Sequence, residues 1–161
     1  MIDMNSDSGQ SLEDQPLGFL MYRVAAVLQP KVTEHLQPLG LTLPEFVCLR
    51  ILSTAPGQSN AELARHINVS PQAMNNVVRG LQERGIVCRP ATVSSGRALP
   101  AELTSEGAAL LKRAEAVVHT ADELALARLT GEQRRELKRL LAHAVDGPAT
   151  PVAELPDFHP H

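Results

Sequence analysis

The sequence predicts a mainly α-helical protein with one small β-hairpin, and three observations support this fold class. Apolar residues recur at amphipathic-helix spacing in six segments, the first carrying Leu17, Leu20, Met21, Val24 and Leu28. Several segments begin with Ser or Thr followed three residues later by Glu or Gln, the capping-box signature of a helix start. Strand-like Ile-Val-Cys followed by turn-like Ser-Ser-Gly predicts the hairpin.

The composition favours one domain with a small-residue core. At 161 residues the chain has room for one ordinary domain, and 43% of its residues are hydrophobic. Aromatic residues make up only 2%, so the core must consist of Leu, Val, Ala and Ile. No apolar run approaches the roughly 18–20 residues that span a bilayer, and the acidic N-terminus does not resemble a signal peptide. We expect a cytoplasmic protein with no membrane partner.

The charge distribution is compatible with a polyanionic partner although the formal net charge is −3. All 15 Lys and Arg residues lie between Arg23 and Arg139, whereas seven of the 18 acidic residues flank that region. The middle of the chain is therefore net positive. Because net charge informs about partners rather than fold, the overall value does not exclude nucleic acid.

The first predicted helix covers about 16–37 and follows an acidic arm, 1–15, that lacks apolar periodicity. Pro30 is expected to kink or split this helix, and Gly40 marks its end. A second helix begins at Thr42. A short third helix begins at Ser59, and only two residues separate it from a fourth.

The fourth helix begins with Ser70 as its cap and ends at Gly85. Met74, Val78 and Leu81 predict its buried side. Its opposite face is polar but carries a single charge, unlike the Lys-rich and Glu-rich face of an ordinary solvated helix. That face consists of Gln72, Asn75, Asn76 and Arg79, at i, i+3, i+4 and i+7.

A β-hairpin is predicted over 86–103, with Pro90 and Pro100 limiting its ladder hydrogen bonds. Two amphipathic helices follow, from Thr104 and from Thr130, and a Pro-rich, mobile tail occupies 146–161. The C-terminal helices exceed what one small domain needs. We therefore expect them, with the first helix, to pack against a second copy of the chain.

Two short helices joined by a tight turn and followed by a hairpin describe a winged helix-turn-helix. In such motifs the second helix enters the DNA major groove, where Asn and Gln pair with adenine and Arg pairs with guanine. The predicted organisation is an N-terminal dimerisation helix (16–40), a winged helix-turn-helix lobe (41–103) and C-terminal dimerisation helices (104–145). The predicted recognition-helix contacts are Ser70, Pro71, Gln72, Ala73, Asn75, Asn76 and Arg79.

Three runs resemble the MarR family of bacterial transcription regulators: LTLPEFVCLRIL, ELARHINVSPQAMNNVVRGLQERGIVCR and GRALPAELTSEG. The resemblance covers about 16–145. It implies a homodimer that binds a pseudo-palindromic operator in double-stranded DNA. It also implies a repressor that a small phenolic or aromatic-acid effector releases, with no cofactor.

The predicted wing departs from the family pattern, which places an Asp and a variable or Arg residue before a final Arg. This chain has Ser95, Gly96 and Arg97, so only the final Arg is kept. Arg97 is expected to enter a narrow minor groove, where negative potential is concentrated. The predicted wing contacts are Ser94, Ser95, Gly96 and Arg97, and the predicted phosphate contacts are Ser59, Asn60, Arg65 and Arg89.

The resemblance places an effector pocket between the dimerisation helices and the DNA-binding lobe. An apolar slot with a cation suits an aromatic carboxylate. The residues expected to line it are Phe19, Tyr22, Arg23, His35, Phe46 and Arg50.

Other kinds of regulation and function have weaker support. Gly18 stands where the family's peroxide sensors carry a reactive Cys, and Cys48 and Cys88 are expected to be small buried residues. The six His residues form no helical i, i+4 pair and no Cys/His cluster, so no metal site is predicted. No catalytic motif is present, which argues against an enzyme. A redox- or metal-responsive regulator and a protein-interaction module remain alternatives.

Overall fold

A computed structural model describes residues 14–90 and 100–145, which form six α-helices and one antiparallel pair of short strands. The predicted fold class is confirmed. The elements are α1 (Leu17–Leu36), α2 (Leu43–Thr54), α3 (Asn60–Ile67), α4 (Pro71–Glu83), β1 (Val87–Cys88), β2 (Glu102–Leu103), α5 (Ser105–Ala125) and α6 (Gly131–Val145).

Helix α1 runs without interruption through Pro30, so of the two expected effects, a kink or a split, the split does not occur. A proline removes one backbone N–H from the helix ladder, while packing on both sides can keep the two halves joined. Val32 and Leu36, just beyond it, are buried, and α1 packs along α5. A 3₁₀ turn over 37–39 follows, and Gly40 ends it at φ +66° as predicted.

The predicted helix starts of the central region are confirmed by their hydrogen bonds. Thr42 and Ser59 each form a complete capping box, with Glu45 and Glu62 respectively. The Ser70 hydroxyl accepts from the N–H of Ala73 at 3.1 Å. These caps satisfy backbone donors that a helix leaves unpaired at its N-terminus, so they fix where α2, α3 and α4 begin.

The turn between α3 and α4 is short because Asn68 ends α3 in the left-handed region, at φ +56°. Its N–H bonds back to the carbonyls of Ala64 and Arg65. Asn reaches this conformation more readily than most non-glycine residues. Only Val69 therefore separates the end of α3 from the Ser70 cap, and this short connection fixes α4 against α3.

Among the residues that the structure describes, the buried core contains no aromatic side chain, as the composition predicts. Its members come from α1 to α5, from β1 and from the segments beside these elements. They are Val32, Leu36, Leu41, Cys48, Leu49, Leu52, Leu63, Ala64, Met74, Val78, Leu81, Ile86, Val87, Ala101, Leu110, Leu111, Ala114 and Ala121.

The strand pair supports the predicted hairpin, with Val87 opposite Leu103 and Cys88 opposite Glu102. Val87 is buried and Cys88 is exposed, because successive side chains of a strand point to opposite faces. The expectation that Cys88 would be buried is therefore wrong. An isolated bridge joins Gln58 to the residue preceding β2 and ties the α2–α3 connection to the sheet.

Helix α5 begins against the chain that enters β1. Thr104 donates its N–H to the Ile86 carbonyl at 3.1 Å and its hydroxyl to the Gly85 carbonyl at 2.7 Å. The same hydroxyl accepts from the Gly107 N–H at 3.0 Å. An added Cβ at Gly107 would lie 2.1 Å from the Ile86 carbonyl oxygen. The first turn of α5 thus needs a residue without a side chain.

The described residues divide into two units after Ala125. In the second unit, Thr130 and Gln133 form the predicted capping box, with bonds of 2.9 and 3.2 Å. The Arg134 guanidinium donates to the Leu129 carbonyl at 2.6 Å and secures the turn before α6. None of the residues of α6 is buried in the single chain. Within 14–90 and 100–145, no helix has the length and apolar character needed to cross a bilayer.

Candidate nucleic-acid interface

Helix α4 has one fully buried face and one exposed polar face. Met74, Val78 and Leu81 each have no exposed surface, and they anchor the helix on the core. Because 3.6 residues make one turn, the remaining positions face outward. The exposed residues include all seven predicted for this helix: Ser70, Pro71, Gln72, Ala73, Asn75, Asn76 and Arg79.

Asn76 and Arg79 are already paired one turn apart on α4. The Arg79 guanidinium donates to the Asn76 side-chain oxygen at 3.0 Å. A guanidinium has five N–H donors, so this bond uses only part of its capacity. The pair restricts the rotamers of two long polar side chains, and a restricted side chain loses less entropy when it contacts a ligand.

Asn75 belongs to a second network that leaves the helix. The Asn60 side-chain N–H donates to the Asn75 side-chain oxygen at 2.5 Å. Arg89 in turn donates to the side-chain oxygen of Asn60. The side chain of Asn60, the first residue of α3, therefore joins a residue one turn into α4 to the residue just after β1.

Sequence reasoning missed this network, because its bonds join residues 15 and 29 positions apart. Asn60 and Arg89 were predicted only as phosphate contacts, from their places at a helix start and in a basic region. No local periodicity links such positions. The only sequence signal was the polarity of Asn60 directly after the Ser59 cap, which by itself indicates no partner.

The other predicted phosphate contacts differ in how far they are already engaged. The Ser59 hydroxyl is half-buried in its capping box and donates to Glu62 at 2.8 Å. Hydrogen bonds from the Ser59 backbone N–H and hydroxyl hold the pKa of the Glu62 carboxyl below its usual value. Arg65 is exposed on α3. Phosphate contact by these residues stays a prediction, as do the wing contacts, since Ser94 to Arg97 lie outside the described residues.

The six residues predicted for an effector pocket are spread along the molecule. Phe19, Tyr22 and Arg23 are exposed near the start of α1, with 52% of Phe19 and 70% of Tyr22 accessible. His35 lies on the same helix, about 18–24 Å further along its axis at 1.5 Å per residue. Its Nδ1–H donates to the Lys31 carbonyl at 2.8 Å. One slot within a single chain cannot include both ends of α1.

The last two predicted pocket residues lie on α2. Phe46 is half-buried against the core, and Arg50 is exposed. The Arg50 guanidinium donates to Glu115 of α5 at 2.5 Å, so a carboxylate ligand would compete with Glu115 for it. Two surface cavities of about 290 and 550 Å³ have other linings. The smaller contains Arg84 and Arg113, and the larger is lined from Thr33 to Pro44. The predicted pocket remains untested.

The two cysteines have opposite environments. Cys48 is fully buried, and burial together with the Glu45 carboxylate raises the pKa of its thiol from 9.0 to about 11. Only a thiolate is a strong nucleophile, so Cys48 is unreactive near neutral pH. Cys88 is exposed on β1. Among residues 14–90 and 100–145 no three His, Cys, Asp or Glu side chains come together as a metal site would require.

Brief alkylation of the folded protein with iodoacetamide at pH 8 is expected to modify Cys88 and to spare Cys48. Peptide mass spectrometry measures the two sites separately. Since the raised pKa of Cys48 means that the fold favours its protonated form, protection should diminish as pH rises from about 9 toward 11. Equal modification of both cysteines at pH 8, with the protein still folded, would contradict this assignment.

The order α2, α3, tight turn, exposed polar α4 and strand pair defines the winged helix-turn-helix class of protein. The MarR family model matches residues 41–99. The HTH-type transcriptional repressor Rv2887 of Mycobacterium tuberculosis is 66% identical over 129 residues, 80% of this chain and 93% of that protein. The chain belongs to the MarR family.

Solved structures of Rv2887 from M. tuberculosis resemble the chain over nearly the same region. The complex with salicylic acid has 64% sequence identity and a TM-score of 0.72, covering 82% of this chain and 98% of that chain. The complex with DNA has 60% identity and a TM-score of 0.70, covering 82% and 99%.

Proposed function

We propose that the protein is a homodimeric, sequence-specific DNA-binding repressor that acts in the cytoplasm and is released by a small aromatic carboxylate. The observation that carries this proposal is the exposed polar face of α4 opposite its fully buried face. A helix anchored in this way can present amide and guanidinium groups to base edges without moving the core. The relative solved with DNA, at 60% identity, supports the same reading.

Base contacts are proposed for Gln72, Asn75, Asn76 and Arg79, which share the exposed face of α4. Ser70, Pro71 and Ala73 lie at its N-terminal end, where recognition helices approach the bases and phosphates most closely. Arg97 is proposed to insert into the minor groove beside each half-site. Because the wing lacks a charged neighbour at Ser95 and Gly96, we expect α4 to supply most of the sequence preference.

Homodimer formation is supported by apolar side chains that a single chain leaves exposed. In the first unit they lie mainly on α1, and in the second they lie on α6. Exposing so many large apolar groups to water is unfavourable for a single chain. Surfaces of this kind mark protein interfaces. They are Leu17, Phe19, Met21, Tyr22, Val24 and Val27 on α1, Leu124 on α5, and Leu140, Leu141 and Val145 on α6.

An aromatic carboxylate is proposed as the effector because the related repressor was solved with salicylic acid. Arg50 and Arg23 supply cations, and Phe19, Tyr22 and Phe46 supply apolar surface, with His35 at the far end of α1. Since these groups are too widely spaced for one pocket in one chain, we propose that two copies complete it. The Arg50–Glu115 ion pair links α2 to α5 and would be exchanged for the ligand carboxylate.

Affinity for a duplex selected from a randomised library is expected to fall linearly with salt on a logarithmic scale. A loss of roughly a thousandfold between about 50 and 200 mM salt corresponds to some six phosphate contacts. Fluorescence anisotropy with a labelled duplex measures it, and a scrambled duplex of equal length is the control. A flat salt response, or equal affinity for both duplexes, would refute the proposed function. Salicylate added to the same complex tests release by the effector.

A further inference from the structure

We propose that Asn60 determines sequence specificity without touching a base, by fixing which end of the Asn75 side-chain amide faces the DNA. This inference rests on the proposed function, because it assumes that α4 reads base edges. Its structural basis is the hydrogen-bonded chain from Arg89 through Asn60 to Asn75. Neither Asn60 nor Arg89 belongs to α4, so both act on Asn75 from outside its own helix.

The donor-to-acceptor direction of these two hydrogen bonds follows from the chemistry of Arg89. A guanidinium has only N–H donors, so Asn60 must turn its side-chain oxygen toward Arg89. The amide nitrogen of Asn60 then faces Asn75 and can only donate. Asn75 must accept with its own side-chain oxygen, which leaves its two N–H donors for an external partner. The orientation of both amides is therefore set by Arg89.

The backbone around the network is fixed by short-range contacts. Asn60 is the first residue of α3, directly after the Ser59 capping box, and Asn75 lies one turn into α4, whose Met74 is fully buried. Asn68, in the left-handed conformation, allows a short connection between α3 and α4. With both backbones held, rotation of the Asn75 amide is the main remaining freedom, and the bond from Asn60 removes it.

This polarity changes what Asn75 is expected to read. The residue type alone predicts that Asn75 pairs bidentately with adenine, which needs one donor and one acceptor from the same amide. In the network the Asn75 side-chain oxygen accepts from Asn60, so Asn75 turns its N–H donors toward the DNA. In the major groove, guanine offers two acceptors, N7 and O6, and thymine offers O4. Adenine has N7 beside an amino donor, and cytosine has only an amino donor. Asn75 should therefore favour guanine or thymine and reject cytosine.

The decisive variant is Asn60→Asp, which preserves the shape of the side chain and removes its donors. The new carboxylate still accepts from Arg89 but can no longer donate to Asn75. Asn75 must then turn its own N–H groups toward position 60 and present its oxygen to the groove. The preference at one base pair per half-site is expected to change from guanine or thymine to cytosine or adenine, by roughly two- to tenfold.

Selection from a randomised duplex library, followed by competition binding on the four single-base variants, measures this change for each protein. Asn68→Asp is the matched control, because it makes the same charge change at the end of α3 outside the network. It should weaken binding to all four duplexes alike. Thermal unfolding of each variant shows whether the fold is retained.

Asn75→Asp gives a second test that does not depend on the stability of the first variant. Its carboxylate accepts from Asn60 with one oxygen and turns the other toward the groove. It should share the cytosine or adenine preference of Asn60→Asp. If Asn75→Asp keeps the wild-type preference, Asn75 does not read that base, and the inference is overturned.

The outcomes separate the inference from the function on which it rests. Wild-type protein that selects no sequence from the library would contradict the proposed function itself. Selective wild-type protein with a folded Asn60→Asp variant of identical preference at every position would overturn only the role of Asn60. A preference that moves at the same single base pair in both variants, and not in Asn68→Asp, supports it.

Discussion

Replacing both Leu140 and Leu141 with glutamate is expected to give a monomer that loses about 10²–10⁴-fold of its affinity for a duplex with two half-sites. In the single chain these leucines are 50% and 41% exposed on α6, a helix with no buried residue. An interface that covers them would bury two unpaired carboxylates in each copy of the variant, which is strongly unfavourable. Light scattering measures the mass, and anisotropy measures the affinity.

The affinity loss should come from the lost second half-site and not from damage to α4. A duplex that carries one half-site is therefore the control ligand, and the variant and the wild type should bind it with similar affinity. Arg135→Glu is the control variant, because it places a carboxylate at an exposed polar position of the same helix. A double variant that remains dimeric would show that the interface lies elsewhere, with the exposed apolar side chains of α1 and Leu124 of α5 as the remaining candidates.

Features fixed by residues close in sequence could be predicted. Thr42, Ser59 and Ser70 cap the helices they were expected to begin, because a cap bonds to an N–H only two or three residues away. The exposed stripe of α4 follows equally from helical periodicity, since Met74, Val78 and Leu81 are buried opposite it. The centre of the candidate site was predictable for this reason.

Features that depend on distant packing could not be predicted. The apolar neighbours of Cys88 suggested burial, but the register of β1 against β2 turns that side chain outward. Pro30 does not split α1, and two residues buried shortly after it belong to the core. The bonds of Asn60 to Asn75 and Arg89 required the positions of three separate elements. Sequence patterns specify which face of a helix or strand a residue occupies. They do not specify which residue of another element it contacts.

Gly107→Ala is expected to destabilise the protein by about 3 kcal/mol, the upper part of the range for overpacking. A Cβ at this position would lie 2.1 Å from the Ile86 carbonyl oxygen and 3.1 Å from its carbonyl carbon. Both are backbone atoms, so no rotamer change can relieve the contact. The Ile86 carbonyl also accepts the Thr104 N–H, and any shift that admits the methyl group weakens this start of α5.

Gly80→Ala is the matched control, because the same methyl group there meets no atom within 4 Å. Gly80 lies inside α4, where alanine favours the helix by roughly 0.5–1 kcal/mol over glycine, so this variant should be stabilised. Thermal unfolding should therefore move the two variants in opposite directions, with Gly107→Ala lowered by roughly 10 °C. If both substitutions change the unfolding temperature alike, the close approach of α5 to Ile86 is not a constraint of the folded protein. If only Gly107→Ala is unstable, the chain between α4 and β1 is held by a contact that tolerates no side chain.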